Sequence, residues 1–226
     1  MKIRTLSLLQ TALDDEFAWR LKEIADLKVA VRQNNGLGAR TLIRAGVALL
    51  YAHWEGFVKS SATIYIEFVN NQGMRNADLQ TCFAVLGVKK YLDDLGRGKK
   101  ARVLISALEF IQGTANDRAQ LRVKSAVDTE SNLKADVFEN IAISVGIDTD
   151  QYESRYQFMN ESLLARRNRI AHGEFVDLDP ESWRGLADEV LRLMRLFKTD
   201  IENAASTSAF ARPSDKALDK GPLAGE

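Results

Sequence analysis

Apolar side chains recur at steps of three and four residues along most of the chain, which is the period of an amphipathic helix. The pattern predicts one long helix over residues 3–34 and a second from the break NNGLG at residues 34–38 to about residue 71. The apolar stripe of the first helix consists of Leu6, Leu9, Leu13, Phe17, Leu21, Ile24, Leu27 and Val31. That of the second consists of Leu50, Trp54, Phe57, Ser61, Ile64 and Phe68.

Shorter elements are predicted in the middle of the chain. Residues 76–95 and 101–112 carry weaker apolar stripes, and the basic turn GRGKKAR at residues 96–102 joins them. The polar stretch that follows includes QLRVKSAV, whose alternation leaves a short strand open beside a loop. Residues 131–145 predict a helix with a serine or asparagine cap and Gly146 at its end.

Two longer helices complete the patterned part of the chain. Residues 151–172 predict a helix that Gly173 closes. The last helix is predicted over residues 180–203, because Asp179 is a good N-cap and Pro180 suits the first helical position. Its apolar stripe consists of Trp183, Leu186, Val190, Leu193 and Phe197.

Composition agrees with a helical protein. Hydrophobic residues make up 46% and charged residues 27%, which is ordinary for a soluble globular domain. No proline precedes residue 180, which favours long helices because proline disrupts helix interiors. We therefore predict an all-α fold with one domain over residues 1–203 and a small, polar, disordered tail over residues 204–226. Since neither a signal peptide nor a membrane span is evident, we expect a cytoplasmic protein.

The charge balance and the single cysteine limit the kinds of functional site that the sequence can form. Lys and Arg together number 31, as do Asp and Glu, so binding of nucleic acid through bulk charge is not expected. Binding of phosphate would instead need a local cluster of cationic side chains. Cys82 has no cysteine or histidine nearby at metal-ligand spacing, and neither HExxH nor CxxC occurs, so we predict no metal and no cofactor.

The strongest local cluster of cations lies at the end of the helix predicted over residues 151–172, in the sequence LLARRNRIAH. One interpretation is structural, because cations near a helix C-terminus complement the helix dipole. The other is a phosphate site. Asn168 and His172 are spaced i,i+4, so the amide can orient the imidazole. Arg167 points about 140° away from His172 on an ideal helix, which favours a site built by two chains around a twofold axis.

Arginine and histidine together suit the cleavage of RNA. Arginine binds phosphate bidentately, and histidine exchanges protons near neutral pH. The 2′-hydroxyl of RNA can attack the adjacent phosphorus, so the protein needs only a base, an acid and charge stabilisation. The residue types therefore favour RNA over DNA as the substrate.

The stretch Arg167-Asn168-Arg169-Ile170-Ala171-His172 resembles the R-N-x-x-x-H form of the RX4-6H motif of HEPN domains (higher eukaryotes and prokaryotes nucleotide-binding). Residues 51–69 and 131–148 are similar to the second helix and the segment before the motif helix in bacterial families related to the RiboL-PSP-HEPN group. Together these pieces cover most of residues 40–200. The resemblance implies an HEPN-like antiparallel helical bundle with extra helices.

The resemblance also implies an activity and its residues. Such proteins are metal-independent endoribonucleases that act as homodimers with a shared cleft, and many are toxins or parts of anti-phage systems. Carried onto this sequence, Arg167 would bind and stabilise the scissile phosphate, His172 would be the general acid and base, and Asn168 would orient it. Glu55 is the candidate for an acidic residue on the second helix. We expect His53 to be a packed histidine rather than a second base.

Several alternatives stay open at this point. Arg166 and Arg169 are not motif positions, and they serve either phosphate steering or dipole complementation. Glu174 stands where some HEPN toxins carry a tyrosine that a nucleotidyltransferase antitoxin modifies, so that partner is not predicted. RNA, a second copy of the chain, and an antitoxin or defence-system protein are the expected partners. The competing hypotheses are a non-catalytic HEPN module that binds RNA or protein, and a regulatory subunit whose cations only cap a helix.

Overall fold

The structure is a computed structural model, and within the residues that it describes the chain is helical without a strand. Those residues are 2–97, 100–122, 127–129 and 132–213. The all-α prediction is thus confirmed for the described residues. The strand considered in QLRVKSAV does not appear in the described part of that stretch, and residues 123–126 lie outside it.

Seven α-helices lie in the described residues. They are α1 (Leu6–Gln33), α2 (Gly36–Asn71), α3 (Thr81–Arg97), α4 (Ala101–Gly113), α5 (Ala135–Ser144), α6 (Ala165–Ala171) and α7 (Pro180–Ser206). Short 3₁₀ segments occupy Asn76–Asp78, Thr114–Asn116 and Asp150–Arg155, and a π-helical segment spans Phe158–Leu164. Among the described residues, no helix has both the length and the apolar character that a membrane span requires.

α1, α2 and α7 form the frame of the domain. α1 lies antiparallel to α7, because Lys28 pairs with Asp188 at 2.5 Å while Lys198 pairs with Asp14 at 2.8 Å. α2 packs on both helices and also on α5 and α6. Its buried residues include the whole predicted stripe except the partly buried Ile64. The core is therefore centred on α2.

The start of α7 matches its predicted capping. The Asp179 carboxylate accepts hydrogen bonds from the backbone N–H groups of Glu181 and Ser182, at 3.0 and 2.9 Å. Pro180 occupies the first helical position. All five residues of the predicted stripe of α7 are buried. This cap fixes where the chain turns back into the frame after α6.

The cap of α5 comes from a different part of the chain than predicted. The helix begins at Ala135, and the Ala135 backbone N–H donates to the side-chain oxygen of Asn160 at 2.9 Å. Asn160 belongs to the π-helical segment before α6. The local serine or asparagine cap is thus replaced by a tertiary contact, which joins α5 to the helix that carries the cation cluster.

One inward position of α1 is taken by a cation instead of the predicted leucine. Leu21 is 36% exposed, whereas Arg20 is 5% exposed. The Arg20 guanidinium lies 4.2 Å from the centre of the Trp19 ring and donates to the Glu16 carboxylate at 2.5 Å. It also faces the Phe57 ring of α2. The helical period permits either neighbour at this position, and ion pairing together with ring contacts makes burial of the arginine tolerable.

The end of the chain differs from the predicted boundary at residue 203. α7 extends beyond it, and Phe210 is buried with its ring centre 5.9 Å from that of Phe68. Backbone hydrogen bonds also join this segment to the turn before α3. The prediction of disorder is therefore corrected for residues 204–213, because Phe210, the last turn of α7 and these backbone hydrogen bonds join the segment to the core. The rest of the predicted tail, residues 214–226, lies outside the described residues.

Candidate functional site

The cation cluster lies at the end of a long helical segment whose winding changes along its length. The segment passes from a 3₁₀ turn through the π-helical residues into α6. Within the π-helical part, the neighbouring residues Leu163 and Leu164 are both buried. A π-helical insertion changes which face of the following turns points inward. It therefore helps to set the direction in which α6 presents its side chains.

α6 ends in a glycine-based cap that leaves His172 at the surface. Gly173 has a φ of +79°, and its N–H donates to the Ile170 carbonyl at 3.0 Å. The Glu174 N–H donates to the Arg169 carbonyl at 2.9 Å. These two bonds form a Schellman motif, for which glycine is the preferred residue because of the left-handed backbone. The His172 side chain is consequently exposed at the helix end.

Arg167 lies against α2. Its guanidinium carbon is 4.0 Å from the centre of the Tyr51 ring, and its Nη1 donates to the Asn168 side-chain oxygen at 2.8 Å. Its Nη2 lies 3.9 Å from Oε2 of Glu55. The side chain is 22% exposed. An aromatic face and a carboxylate thus hold a partly exposed guanidinium in one orientation, which suits the binding of an oxyanion.

Tyr51 and Glu55 connect this arginine to the rest of the fold. The Tyr51 hydroxyl accepts a hydrogen bond from the Leu133 backbone N–H at 2.6 Å and hydrogen bonds with the Glu55 carboxylate. Thr129 donates to the same carboxylate at 2.6 Å. Burial, followed in its effect by the Glu55 charge, raises the pKa of Tyr51 to about 12. The tyrosine therefore remains protonated at neutral pH and can donate to Glu55.

The expected contact between Asn168 and His172 is not formed in the single chain. The Asn168 side-chain oxygen accepts from Arg167 instead. Over the described ranges, no side-chain hydrogen bond or ion pair of His172 is present. One chain thus brings Arg167, Asn168, Tyr51 and Glu55 together, while the His172 side chain at the end of the same helix is exposed and has no hydrogen-bond partner among the described residues.

The two flanking arginines differ in their contacts. Arg166 donates to the Ser162 carbonyl of its own helix at 3.3 Å. Arg169 bonds to the Glu174 carboxylate at 3.0 Å and to the Phe175 carbonyl at 3.1 Å. Arg169 therefore supports the loop after the helix, a role that neither sequence-based alternative included.

His53 lies on the opposite side of α2 from Tyr51 and packs on α1. It is 3% exposed, and its Nε2 lies 3.0 Å from Oε2 of Glu23. The Trp19 ring meets it edge-on at 5.3 Å between ring centres. Burial lowers the pKa of His53, which the Glu23 carboxylate partly offsets. The packed-histidine interpretation agrees with this environment.

Sequence reasoning missed three of the residues that shape the site. Tyr51 lies one helical turn before Glu55, and this i,i+4 spacing could have placed both against the motif helix. Arg44, which donates to the Glu174 carbonyl at 3.0 Å, lies two turns earlier on the same helix. Thr129 could not have been found, since it lies in a polar stretch without a helical pattern.

The arrangement offers phosphate-binding and proton-transfer groups. Arg167 can bind an oxyanion, and His172 can exchange protons with a ligand in solvent. Among the described residues, no group of three or more His, Cys, Asp or Glu side chains is placed to hold a metal ion. These side chains can thus bind an anion and exchange protons with it.

Comparison with known proteins gives a match that extends over most of the domain. No curated protein and no solved structure shows significant similarity to the chain. The model of the RiboL-PSP-HEPN family matches residues 15–203, which include every helix from α2 to α6 and most of α1 and α7. With that match over more than half of its length, the chain belongs to the RiboL-PSP-HEPN family.

Proposed function

We propose that this protein is a metal-independent endoribonuclease of the HEPN type whose site is shared by two protomers. The observation that supports it most is the fixed orientation of Arg167, against Tyr51 and near Glu55, at the same helix end that exposes His172. An ordinary dipole-complementing arginine needs no aromatic platform and no carboxylate on a second helix.

In the proposed reaction the 2′-hydroxyl of the substrate attacks the adjacent phosphorus. The O2′–P bond forms while the P–O5′ bond breaks, so the products carry a 2′,3′-cyclic phosphate and a 5′-hydroxyl. A base removes the 2′-hydroxyl proton and an acid protonates O5′. In a dimer, the His172 side chains of the two protomers supply these two functions. Arg167 stabilises the negative charge that develops on the phosphoryl oxygens.

The remaining residues have supporting roles in this proposal. Asn168 releases Arg167 when phosphate binds and turns to orient the His172 imidazole, which is one turn further along the helix. Glu55 is a positioning residue that holds the guanidinium until phosphate replaces it. Arg166 steers the phosphate backbone, and Arg169 contributes charge while it supports the loop.

The first test compares RNA cleavage by the natural protein and by His172→Ala. We expect the substitution to lower kcat by about 10²- to 10⁴-fold, because it removes a proton-transfer group. Folding should be unchanged by circular dichroism, since the imidazole is exposed. End-mapping should show the cyclic phosphate, and EDTA should not reduce the rate. Equal cleavage by both proteins, or loss of cleavage in EDTA, would contradict the proposal.

A second test addresses the shared site. Arg167→Ala and His172→Ala are each inactive in the proposal, but a mixed dimer contains one intact arginine and one intact histidine on different chains. We expect mixing, after partial unfolding and refolding to exchange subunits, to restore part of the activity. A mixed dimer of the natural chain with the double variant Arg167→Ala/His172→Ala also contains one arginine and one histidine, but on the same chain. Higher activity in that dimer than in the mixed dimer of the single variants would show that the two residues act from one chain.

We also propose that the protein acts in the cytoplasm as a toxin or anti-phage effector, together with an antitoxin or another defence component. The family resemblance supports this role. Induced expression should arrest growth, and expression of His172→Ala should not. Because Glu174 offers no phenolic hydroxyl, restraint by modification of a tyrosine at that position is not part of the proposal.

The competing function is a non-catalytic HEPN module that binds RNA. One observation favours it: the Arg167 guanidinium is engaged by its own chain, and His172 has no orienting partner in the described residues. Binding of RNA with unchanged affinity in His172→Ala, together with no cleavage by either protein, would establish this alternative.

A further inference from the structure

An aromatic side chain is presented to solvent beside the proposed site. Phe175 is 60% exposed and follows His172 by three residues, so their Cα atoms lie within about 11 Å of each other. Burial of a phenylalanine side chain is favourable by about 1.5–3 kcal/mol, and the next apolar residue, Val176, is buried. The smaller Val176 side chain is thus buried, whereas the larger Phe175 ring one residue earlier is exposed to water.

The backbone that carries this ring is held in place on both sides. The Phe175 carbonyl accepts from Arg169 Nη2 at 3.1 Å, and the preceding Glu174 carbonyl accepts from Arg44 Nη2 at 3.0 Å. The Glu174 carboxylate also pairs with Arg169 at 3.0 Å. Together with the glycine cap of α6, these contacts fix the loop against both α2 and α6. The ring is therefore preorganised on a rigid support.

The surroundings of the ring are charged rather than apolar. The Arg44 guanidinium carbon lies 5.9 Å from the ring centre, and Arg169 and Glu174 flank the backbone. A protein partner would bury an apolar patch, whereas here a single ring stands among arginines. An aromatic face beside guanidinium groups is the combination that binds the bases and phosphates of single-stranded nucleic acid.

We propose that Phe175 is a stacking platform for an unpaired nucleobase next to the scissile phosphate, and that Arg44 binds the adjacent phosphate. The inference rests on the proposed ribonuclease function and specifies its substrate as single-stranded RNA. Because bases stack with little sequence preference, the platform selects unpaired strands over duplexes and does not read a sequence.

The first experiment measures steady-state cleavage of a single-stranded RNA by Phe175→Ala, Phe175→Trp and Ile105→Ala. Ile105 is the matched control, since it is 56% exposed and lies on α4, which packs mainly on α3. We expect Phe175→Ala to raise KM by about 5- to 150-fold with kcat nearly unchanged, from the usual strength of base stacking. Phe175→Trp should keep the natural KM, and so should Ile105→Ala. An unchanged KM in Phe175→Ala would overturn the proposal while leaving the ribonuclease function intact.

The second experiment measures binding without catalysis. In a His172→Ala background, the tryptophan of Phe175→Trp should lose fluorescence when a short oligouridylate binds, and it should not respond to the same strand in a duplex. The His172→Ala protein without the added tryptophan corrects for the three natural tryptophans. Quenching, together with no RNA cleavage by the natural protein, would refute the ribonuclease function and keep the stacking platform. Binding without quenching would refute the platform alone.

The third experiment excludes a role of the ring in subunit contact. Light scattering of Phe175→Ala should give the mass of the natural protein at the concentrations of the kinetic assay. A KM that recovers at high protein concentration, together with a lowered mass at low concentration, would assign Phe175 to an interface between copies and overturn the proposal.

Discussion

Tyr51 combines two interactions that substitutions can separate. Its ring supports Arg167, and its hydroxyl binds the Leu133 N–H and Glu55. Tyr51→Phe should lower the free energy of unfolding by about 1–3 kcal/mol, because it leaves a buried N–H without its acceptor. Cleavage should be little affected, since the ring remains. Tyr51→Leu should in addition reduce kcat/KM. Urea unfolding and cleavage rates of both variants check this, and equal activity in the two would show that the ring does not position Arg167.

His53 should make stability depend on pH. Burial lowers its folded-state pKa below the ordinary value of 6.5, so the unfolded chain binds more protons. The contribution of His53 to the free energy of unfolding is therefore complete above about pH 6.5. It decreases as the pH falls through the pKa of His53 in the unfolded chain and then through its lower pKa in the folded protein.

The chain supplies its own control for this prediction, because His172 is its other histidine. The free energy of unfolding is measured with urea at a series of pH values. Between neutral and mildly acidic buffer, His53→Phe should lose less stability than the natural protein, and His172→Ala should lose as much as the natural protein. If His172→Ala, rather than His53→Phe, lost less stability, the buried imidazole would not be the source of the pH dependence.

Residue by residue, the sequence indicated the cation cluster but not its contacts. The i,i+4 rule placed Asn168 beside His172, whereas in the structure its side-chain oxygen accepts from the long, flexible side chain of the adjacent Arg167. Glu55 was predicted from resemblance and lies near Arg167, although its catalytic role stays a prediction. Contacts such as Thr129 with Glu55 join residues far apart in sequence and carry no local pattern.

At the scale of elements, Gly46 allows close packing of α2 against α7. A Cβ at that position would lie 2.8–2.9 Å from three atoms of the buried Trp183 indole. Gly46→Ala should therefore lower the free energy of unfolding by about 1–3 kcal/mol through overpacking. Gly185→Ala is the matched control, since nothing lies within 4 Å of its added methyl. It should raise stability by about 0.5–1 kcal/mol. Urea midpoints that fall equally in both variants would contradict the close-packing argument.

The long helices were predictable because their apolar stripes repeat over several turns. α1, α2 and α7 match their predicted spans to within a few residues at most ends. The cap of α5 was not predictable, since it comes from the distant residue Asn160. The π-helical turns before α6 were not predictable either, since the sequence analysis assumed a uniform α-helical period over residues 151–172. A fixed rotation per residue does not hold across such turns, so facing directions inferred along residues 151–172 apply only within α6.

At the scale of the whole molecule, the proposed two-chain site requires a dimer. One chain leaves His172 exposed and without an orienting contact in the described residues. We expect size-exclusion chromatography with light scattering at micromolar concentration to give twice the 25.2 kDa mass of one chain. Arg167→Ala should retain the dimer mass while losing activity, and a purely monomeric natural protein would exclude the two-chain site.

The frame of three helices has a consequence for synthesis of the protein. α7 leaves the ribosome after α1, α2 and α6, and its ion pair between Asp14 and Lys198 spans 184 residues of chain. Until α7 is made, the faces of α1 and α2 that it covers remain exposed, and α6 has no completed frame behind it. A nascent or truncated chain therefore cannot assemble the site. For an enzyme proposed to attack RNA, this order of folding delays activity until α7 has been synthesised.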